Sequence, residues 1–148
     1  MPETTPKMNV LFLCTGNSCR SQMAEGWCRH LKGDIINAYS AGIETHGLNP
    51  NAVRVMEEAG VDIRGQRSQH IDEFRETTLD HVVTVCGHAH ESCPVFPGHT
   101  AVQHVPFDDP PRLARDEPDE EAGLAHYRRV RDEIRAFVET LPEALQTR

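Results

Sequence analysis

Cys14 and Arg20 bracket the head of the stretch CTGNSCRSQMAE (Cys14 to Glu25), which follows the apolar run Val10, Leu11, Phe12, Leu13. A strand that feeds a glycine-containing turn into a helix N-terminus aims several backbone N–H groups at one point. The helix dipole adds partial positive charge there. Thr15, Gly16, Asn17, Ser18, Cys19 and Arg20 would then form a cradle for an oxyanion, with the thiol of Cys14 at its base. The Arg20 guanidinium curls back beside the anion, where its planar fork holds two oxygens. The same field suits a nucleophilic thiolate at Cys14. Ser21 either donates its hydroxyl to that thiolate or caps the helix, and Asn17 tolerates the left-handed backbone of such a loop or bonds across it. The chemistry this loop permits is an oxyanion held against a reactive thiol. A GxxxxGK[ST] loop is absent, which removes a nucleotide-phosphate loop as the alternative.

The elements that must hold this loop are legible in the hydrophobic periodicity. Met8 to Leu13 reads as a buried strand and Ser21 to Lys32 as a helix with Met23, Ala24, Trp27, Cys28 and Leu31 on its inner side. Ile35 to Ala41 reads as a second strand, and Asn49-Pro50 opens a helix through Ala59 that Gly60 stops. His81 to Val85 and Ala101 to Pro106 supply two more strands. Glu120 to Leu141 is a long amphipathic helix whose inner side carries Leu124, Tyr127, Val130, Ile134, Phe137 and Val138. Asp108 to Gly123, rich in proline and acidic residues, reads as a mobile loop. The alternation predicts an α/β fold, a mostly parallel sheet between helices.

A chain of 148 residues suits one catalytic domain over 1–148, with 1–7 as a flexible tail. Met1 to Lys7 lacks a basic segment followed by an apolar stretch, and no run approaches a membrane span, so the expectation is a cytoplasmic protein. A formal charge of -8 argues against a nucleic-acid or anionic-membrane surface. The five cysteines, Cys14, Cys19, Cys28, Cys86 and Cys93, are an odd number that suits catalytic or redox thiols better than a disulfide framework.

The string VLFLCTGNSCRSQMAEG resembles the active-site loop of the low-molecular-weight tyrosine phosphatase fold, most closely its thioredoxin-coupled arsenate reductase branch. Two further motifs carry the resemblance in the same order, VVTVCGHAHESCPVFPG (Val82 to Gly98) and FDDP (Phe107 to Pro110). It implies a three-layer sandwich with a four-stranded parallel sheet flanked by helices. A phosphatase of this type needs one thiol, an acid and water, whereas reduction of pentavalent arsenic takes two electrons, which two thiols supply as they become a disulfide. Cys86 and Cys93 fit the second need. By resemblance, Cys14 attacks arsenate, Cys86 attacks Cys14 as arsenite leaves, and Cys93 attacks Cys86 to leave a disulfide for thioredoxin. The small residues Gly87, Ala89 and Ser92 would let that segment rearrange. A zinc site at Cys86, His88, His90 and Cys93 is the competing reading, but the spacing matches none of the usual zinc patterns.

Asp109, stiffened by Pro110, resembles the acid that protonates the leaving oxygen, and Asp108 is its solvated or capping neighbour. Pro111-Arg112 stand where the phosphatases usually carry aromatic residues, and Gln22 stands where they commonly have proline. Some reductases of this branch bind potassium through positions matching Asn17, Glu25, Ser40 and an acidic residue where this chain has Gln69. A surface role on its helix is the alternative for Glu25, while Cys19 and Cys28 read as packed residues. No tightly bound cofactor is implied, and a monomer is expected. The readings left beside the reductase are a tyrosine phosphatase and a non-catalytic redox or anion sensor.

Overall fold

Val10, Leu11, Phe12 and Leu13 are wholly buried, the condition of a strand covered on both faces. In the computed structural model, which describes residues 7–87 and 100–145, they lie inside a four-stranded sheet. Its strands are β1 (Met8–Cys14), β2 (Ile36–Gly42), β3 (His81–Thr84) and β4 (Ala101–His104), in the order β2-β1-β3-β4. Every pairing is parallel. The flanking helices are α1 (Arg20–Lys32), α2 (Pro50–Glu58), α3 (Pro110–Arg115) and α4 (Glu120–Glu139), with a 3-10 turn at Ile71–Phe74. The expected α/β sheet is therefore present, with strand boundaries within one or two residues of those read from the sequence.

The strand order places the site. From β1 the chain adds β2 on one side and later returns to add β3 on the other, so the order reverses between β1 and β3. Open α/β sheets bind ligands beyond the carboxyl ends of their strands at such a point. The register pairs Leu13 with Thr84, and Val85 N donates to Leu13 O at 2.9 Å. Cys14, at the end of β1, and Cys86, just past β3, are thereby brought to the same edge of the sheet.

Helix α1 is held rigidly behind that edge. Ser21 to Cys28 are all buried, more than the single inner stripe its periodicity suggests, because α4 covers its other side. Trp27 Nε1 donates to Arg131 O at 3.1 Å, and the Arg135 guanidinium sits 5.0 Å over the indole. Leu124, Tyr127, Val130, Ile134 and Val138 of α4 are buried as expected, whereas Phe137 is half-buried, edge-on to Phe107 at 6.3 Å. Burying a side chain of this size contributes about 1.5–3 kcal/mol. The α1–α4 contact is thus a sizeable part of what fixes the helix carrying Arg20 and Ser21.

One expectation needs correction. Asp108 to Gly123 is not simply a loop, since Pro110 to Arg115 form α3. Proline is tolerated in the first helical turn, where its missing N–H has no intrahelical partner anyway. Pro110 and Pro111 therefore start this helix with Asp109 at its N-cap position.

Candidate active site

The loop between β1 and α1 is shaped by what its carbonyls bond to. Cys14 O accepts from Ile43 N at 3.2 Å, Thr15 O from Glu44 N at 2.8 Å, Gly16 O from His46 N at 2.9 Å, and Ser18 O from Asn49 N at 3.0 Å. Ser68 Oγ also donates to Gly16 O, and Gln22 Nε2 to Asn17 O. Five successive carbonyls are thus drawn outward. In a planar trans peptide the next N–H points opposite the carbonyl, so the amides of residues 15–19 face the loop's interior. Helix α1 begins there with Cys19 at its N-cap position and no side-chain capping bond, which leaves its first amides to the same interior. The cradle read from the sequence is assembled as a ring of donors.

Cys14 sits at its base, with Sγ 3.0 Å from Ser21 Oγ. Asn17 Nδ2 donates to the same hydroxyl oxygen at 2.9 Å, which leaves the Ser21 proton available to a thiolate at Cys14. Asn17 has φ 47, left-handed backbone that asparagine tolerates, and its Oδ1 accepts from Gln69 N at 2.6 Å. Of the two roles open to Ser21, the hydrogen bond to Cys14 is the one formed.

Arg20 closes the rim. Its Nη1 donates to Phe107 O at 3.0 Å and its Nη2 lies 3.8 Å from Asp109 Oδ2. Asp109 makes no capping bond to α3, so its carboxyl is left facing the guanidinium and the loop mouth. Asp108 is exposed and pairs instead with Arg129 at 3.1 Å.

Cys86 is a buried thiol whose sulfur lies 3.2 Å from Thr15 Oγ1. A second thiol therefore meets the loop at the residue that follows Cys14. Cys93, with His88, His90, Ala89 and Ser92, lies outside the described residues. Cys19 and Cys28 have other surroundings: burial pushes the Cys19 thiol well above the ordinary range, with the neighbouring Cys14 adding to it, and burial pushes Cys28 up to about 12. Both stay neutral near pH 7 and are poor nucleophiles.

The residues matched to a potassium site bond one another and neighbouring protein groups. Glu25 is 3% exposed, not a surface residue, and accepts from Ser40 Oγ at 2.5 Å and pairs with Arg29 Nη2 at 2.8 Å. Asn17 Oδ1 is taken by the Gln69 backbone. Burial raises the Glu25 pKa, opposed by the Ser40 hydrogen bond and the Arg29 charge. This donor set does not fit a potassium ion, because Arg29 already supplies the positive charge. Among the described residues no group of three or more His, Cys, Asp or Glu is placed to hold a metal, and no helix is long and apolar enough to cross a membrane.

Sequence reasoning named Thr15, Gln22 and Gln69 but missed the contacts they make around the loop, Thr15 toward Cys86, Gln69 toward Asn17 and Gln22 toward the Asn17 carbonyl, and it missed Ser68, which donates to Gly16 O. These contacts, the Gln22–Asn17 bond apart, join the motif to residues more than forty positions away, which no spacing within the motif reveals. The one available signal was a polar Gln22 on the side of α1 that faces inward.

Residues 9–148 match the family described as low molecular weight phosphotyrosine protein phosphatase. The chain is 53% identical over 138 residues to an arsenate reductase of Bacillus licheniformis, covering 90% of this chain and 97% of the relative. It is 53% identical over 135 residues to the arsenate reductase of Bacillus subtilis, covering 88% and 95%. Its fold is similar to a solved arsenate reductase in the intermediate state, with TM-score 0.72, 32% identity, and coverage of 94% and 99%.

Proposed function

The chain belongs to the low molecular weight phosphotyrosine protein phosphatase family, and from that premise we propose that it reduces arsenate to arsenite as one catalytic domain using three thiols. The observation that carries this reading is Cys86, a second buried thiol whose sulfur lies against Thr15 in the nucleophile's own loop. A phosphatase would use Cys14, Arg20 and Asp109 and leave Cys86 without a task. A sensor would have no use for an uncapped Asp109 beside Arg20.

The ring of amides and the Arg20 fork hold the oxygens of arsenate, leaving its arsenic open to Cys14. The Cys14 thiolate forms a sulfur–arsenic bond, one arsenic–oxygen bond breaks, and Asp109 protonates the departing oxygen, which leaves as water. Cys86, as thiolate, then attacks the Cys14 sulfur. The sulfur–arsenic bond breaks with its electron pair passing to arsenic, so arsenate arsenic is reduced by two electrons, arsenite leaves, and Cys14 and Cys86 are joined. Cys93 attacks the Cys86 sulfur and releases Cys14 as a thiolate, which leaves a Cys86–Cys93 disulfide. An external dithiol of the thioredoxin class reduces that disulfide by exchange.

The test follows NADPH consumption by thioredoxin and its reductase when arsenate is added, beside nitrophenol release from its phosphate ester. Arsenate-dependent turnover that disappears in Cys86→Ser and in Cys93→Ser is expected. Fast ester hydrolysis with no arsenate-dependent turnover would overturn the proposal in favour of the phosphatase.

A further inference from the structure

Gln22 is wholly buried in the first turn of α1. A carboxamide removed from water must satisfy two donors and an acceptor oxygen, and leaving them unmade is costly. Here each is placed. Nε2 donates to Asn17 O at 3.0 Å and to Arg67 O at 2.9 Å, and Oε1 accepts from Gln66 Nε2 at 2.9 Å. Gln66 Nε2 also reaches the Gln22 backbone carbonyl at 3.0 Å. One side chain thus ties the anion loop to the segment 66–67 behind it.

The atom it grips on the loop is the one with most leverage. Asn17 is the only described non-glycine residue with positive φ, and left-handed backbone costs an L-residue about 1–2 kcal/mol, less for asparagine. The peptide that joins Asn17 to Ser18 turns about Asn17 ψ and Ser18 φ, and whereas the carbonyls of Cys14, Thr15, Gly16 and Ser18 each accept a backbone N–H, the Asn17 carbonyl is held by the Gln22 side chain. Rotation would turn the Asn17 carbonyl into the cradle and the Ser18 amide out of it. A donor aimed at a bound oxyanion would become an acceptor.

We propose that Gln22 is a positioning residue for oxyanion binding, holding the Asn17–Ser18 peptide with its carbonyl outward and its amide toward the substrate. The proposal rests on the reading of the Cys14 loop as the oxyanion site. Gln22 touches neither substrate nor sulfur and acts only through the loop. Its neighbours share the task unequally. Gln66 orients the Gln22 carboxamide, Ser68 holds the adjacent Gly16 carbonyl, and Gln69 holds the Asn17 side chain.

The test compares the wild-type enzyme with Gln22→Met, which is close in volume and has no donor, and Gln66→Leu, which leaves both Gln22 donors in place. Gln22→Asn, whose carboxamide is one methylene short of Asn17, serves as the second variant if the methionine form does not fold. The readouts are phosphate affinity by calorimetry, KM and kcat for arsenate, and the Ser18 amide resonance on phosphate addition. For Gln22→Met we expect phosphate Kd and arsenate KM to rise together by about tenfold or more, with kcat changing less. The Ser18 amide should lose its phosphate-induced shift, and Gln66→Leu should change affinity by less than about threefold. Phosphate affinity within about twofold of wild type and an unchanged Ser18 shift, whatever happens to thermal stability, would overturn the inference alone. A wild-type protein that binds neither phosphate nor arsenate would overturn the inference and the underlying reading together.

Discussion

Gly42 and Gly16 offer a comparison in which the same initial clash has opposite consequences. A Cβ built on Gly42, the last residue of β2, lies 2.3 Å from Glu44 O, 2.7 Å from Asn17 N and 2.8 Å from Thr15 O. A Cβ built on Gly16 lies 2.3 Å from His46 Nδ1 and 2.7 Å from its Cγ. All are far inside the roughly 3.5 Å at which non-bonded atoms rest. The obstacles to Gly42→Ala are all backbone, and two of them belong to the anion loop, so relief requires the loop to move by about 1 Å. The obstacle to Gly16→Ala is a half-exposed imidazole that can swing toward solvent at the cost of its exposed contact with Glu44. Overpacking of the first kind costs about 1–3 kcal/mol, and the surface pair in the second is worth about 0–1 kcal/mol. For a chain of this size the first corresponds to a melting point lower by about 2–12 °C. Calorimetric melting and phosphate titration of both variants give the check. Gly42→Ala should lose stability and about tenfold or more in phosphate affinity, while Gly16→Ala, within the cradle itself, stays close to wild type in melting temperature. Equal loss of stability from the two variants, or greater loss from Gly16→Ala, would refute the reading that the backbone at the end of β2 packs directly against the anion loop.

Asp109→Asn should lower kcat for arsenate by about 10²–10⁴, the usual contribution of a general acid, as read in the coupled assay. Burial raises the Glu25 pKa, so the associated stability is full below the ordinary carboxylate pKa and is lost as pH rises through the higher folded value. Glu25→Gln should therefore match wild type in acid and gain on it as pH approaches neutrality, measured as the difference in melting temperature across a pH series. His81, whose Nδ1 is buried with no hydrogen-bond partner, has its pKa lowered by burial, with Asp80 opposing. Its stability contribution is present above the ordinary histidine pKa and is lost as pH falls through the folded value. His81→Leu should lose less stability than wild type between about pH 7 and pH 5, in the same series. Native alkylation with iodoacetamide near neutral pH should label Cys14 before Cys19 and Cys28, whose thiols are held neutral; peptide mapping that shows Cys19 labelled alongside Cys14 would contradict this.

What the sequence showed and what it hid divide along a physical line. The continuous apolar run at Val10 to Leu13 and the 3.6-residue period of Leu124 to Val138 are local patterns set by burial, so they survive reading in one dimension. Cys14, Arg20 and Ser21 lie within one turn of chain, and their loop could be reasoned from spacing. Helix α3 was hidden because prolines and acidic residues look like loop, although two prolines in a first turn start a helix as readily as they break one. A surface role was the alternative left open for Glu25, because its partner Ser40 arrives from strand β2 and its cation Arg29 keeps a half-exposed side chain. The outer ring made by Gln22, Gln66, Ser68 and Gln69 depends on contacts between residues more than forty positions apart. Such contacts leave no periodic trace, and only the folded chain assembles them.

The central claim is that the electrons for arsenic come from this chain's own thiols by way of Cys86. It is tested most directly by a single turnover of fully reduced enzyme with excess arsenate and no external reductant, counting arsenite released and thiols lost. The account predicts one arsenite and two thiols lost per molecule, with the new disulfide mapped by mass to Cys86–Cys93 and no arsenite from Cys86→Ser. Arsenite formed by Cys86→Ser at the wild-type yield, or none formed by the wild-type enzyme, would contradict it.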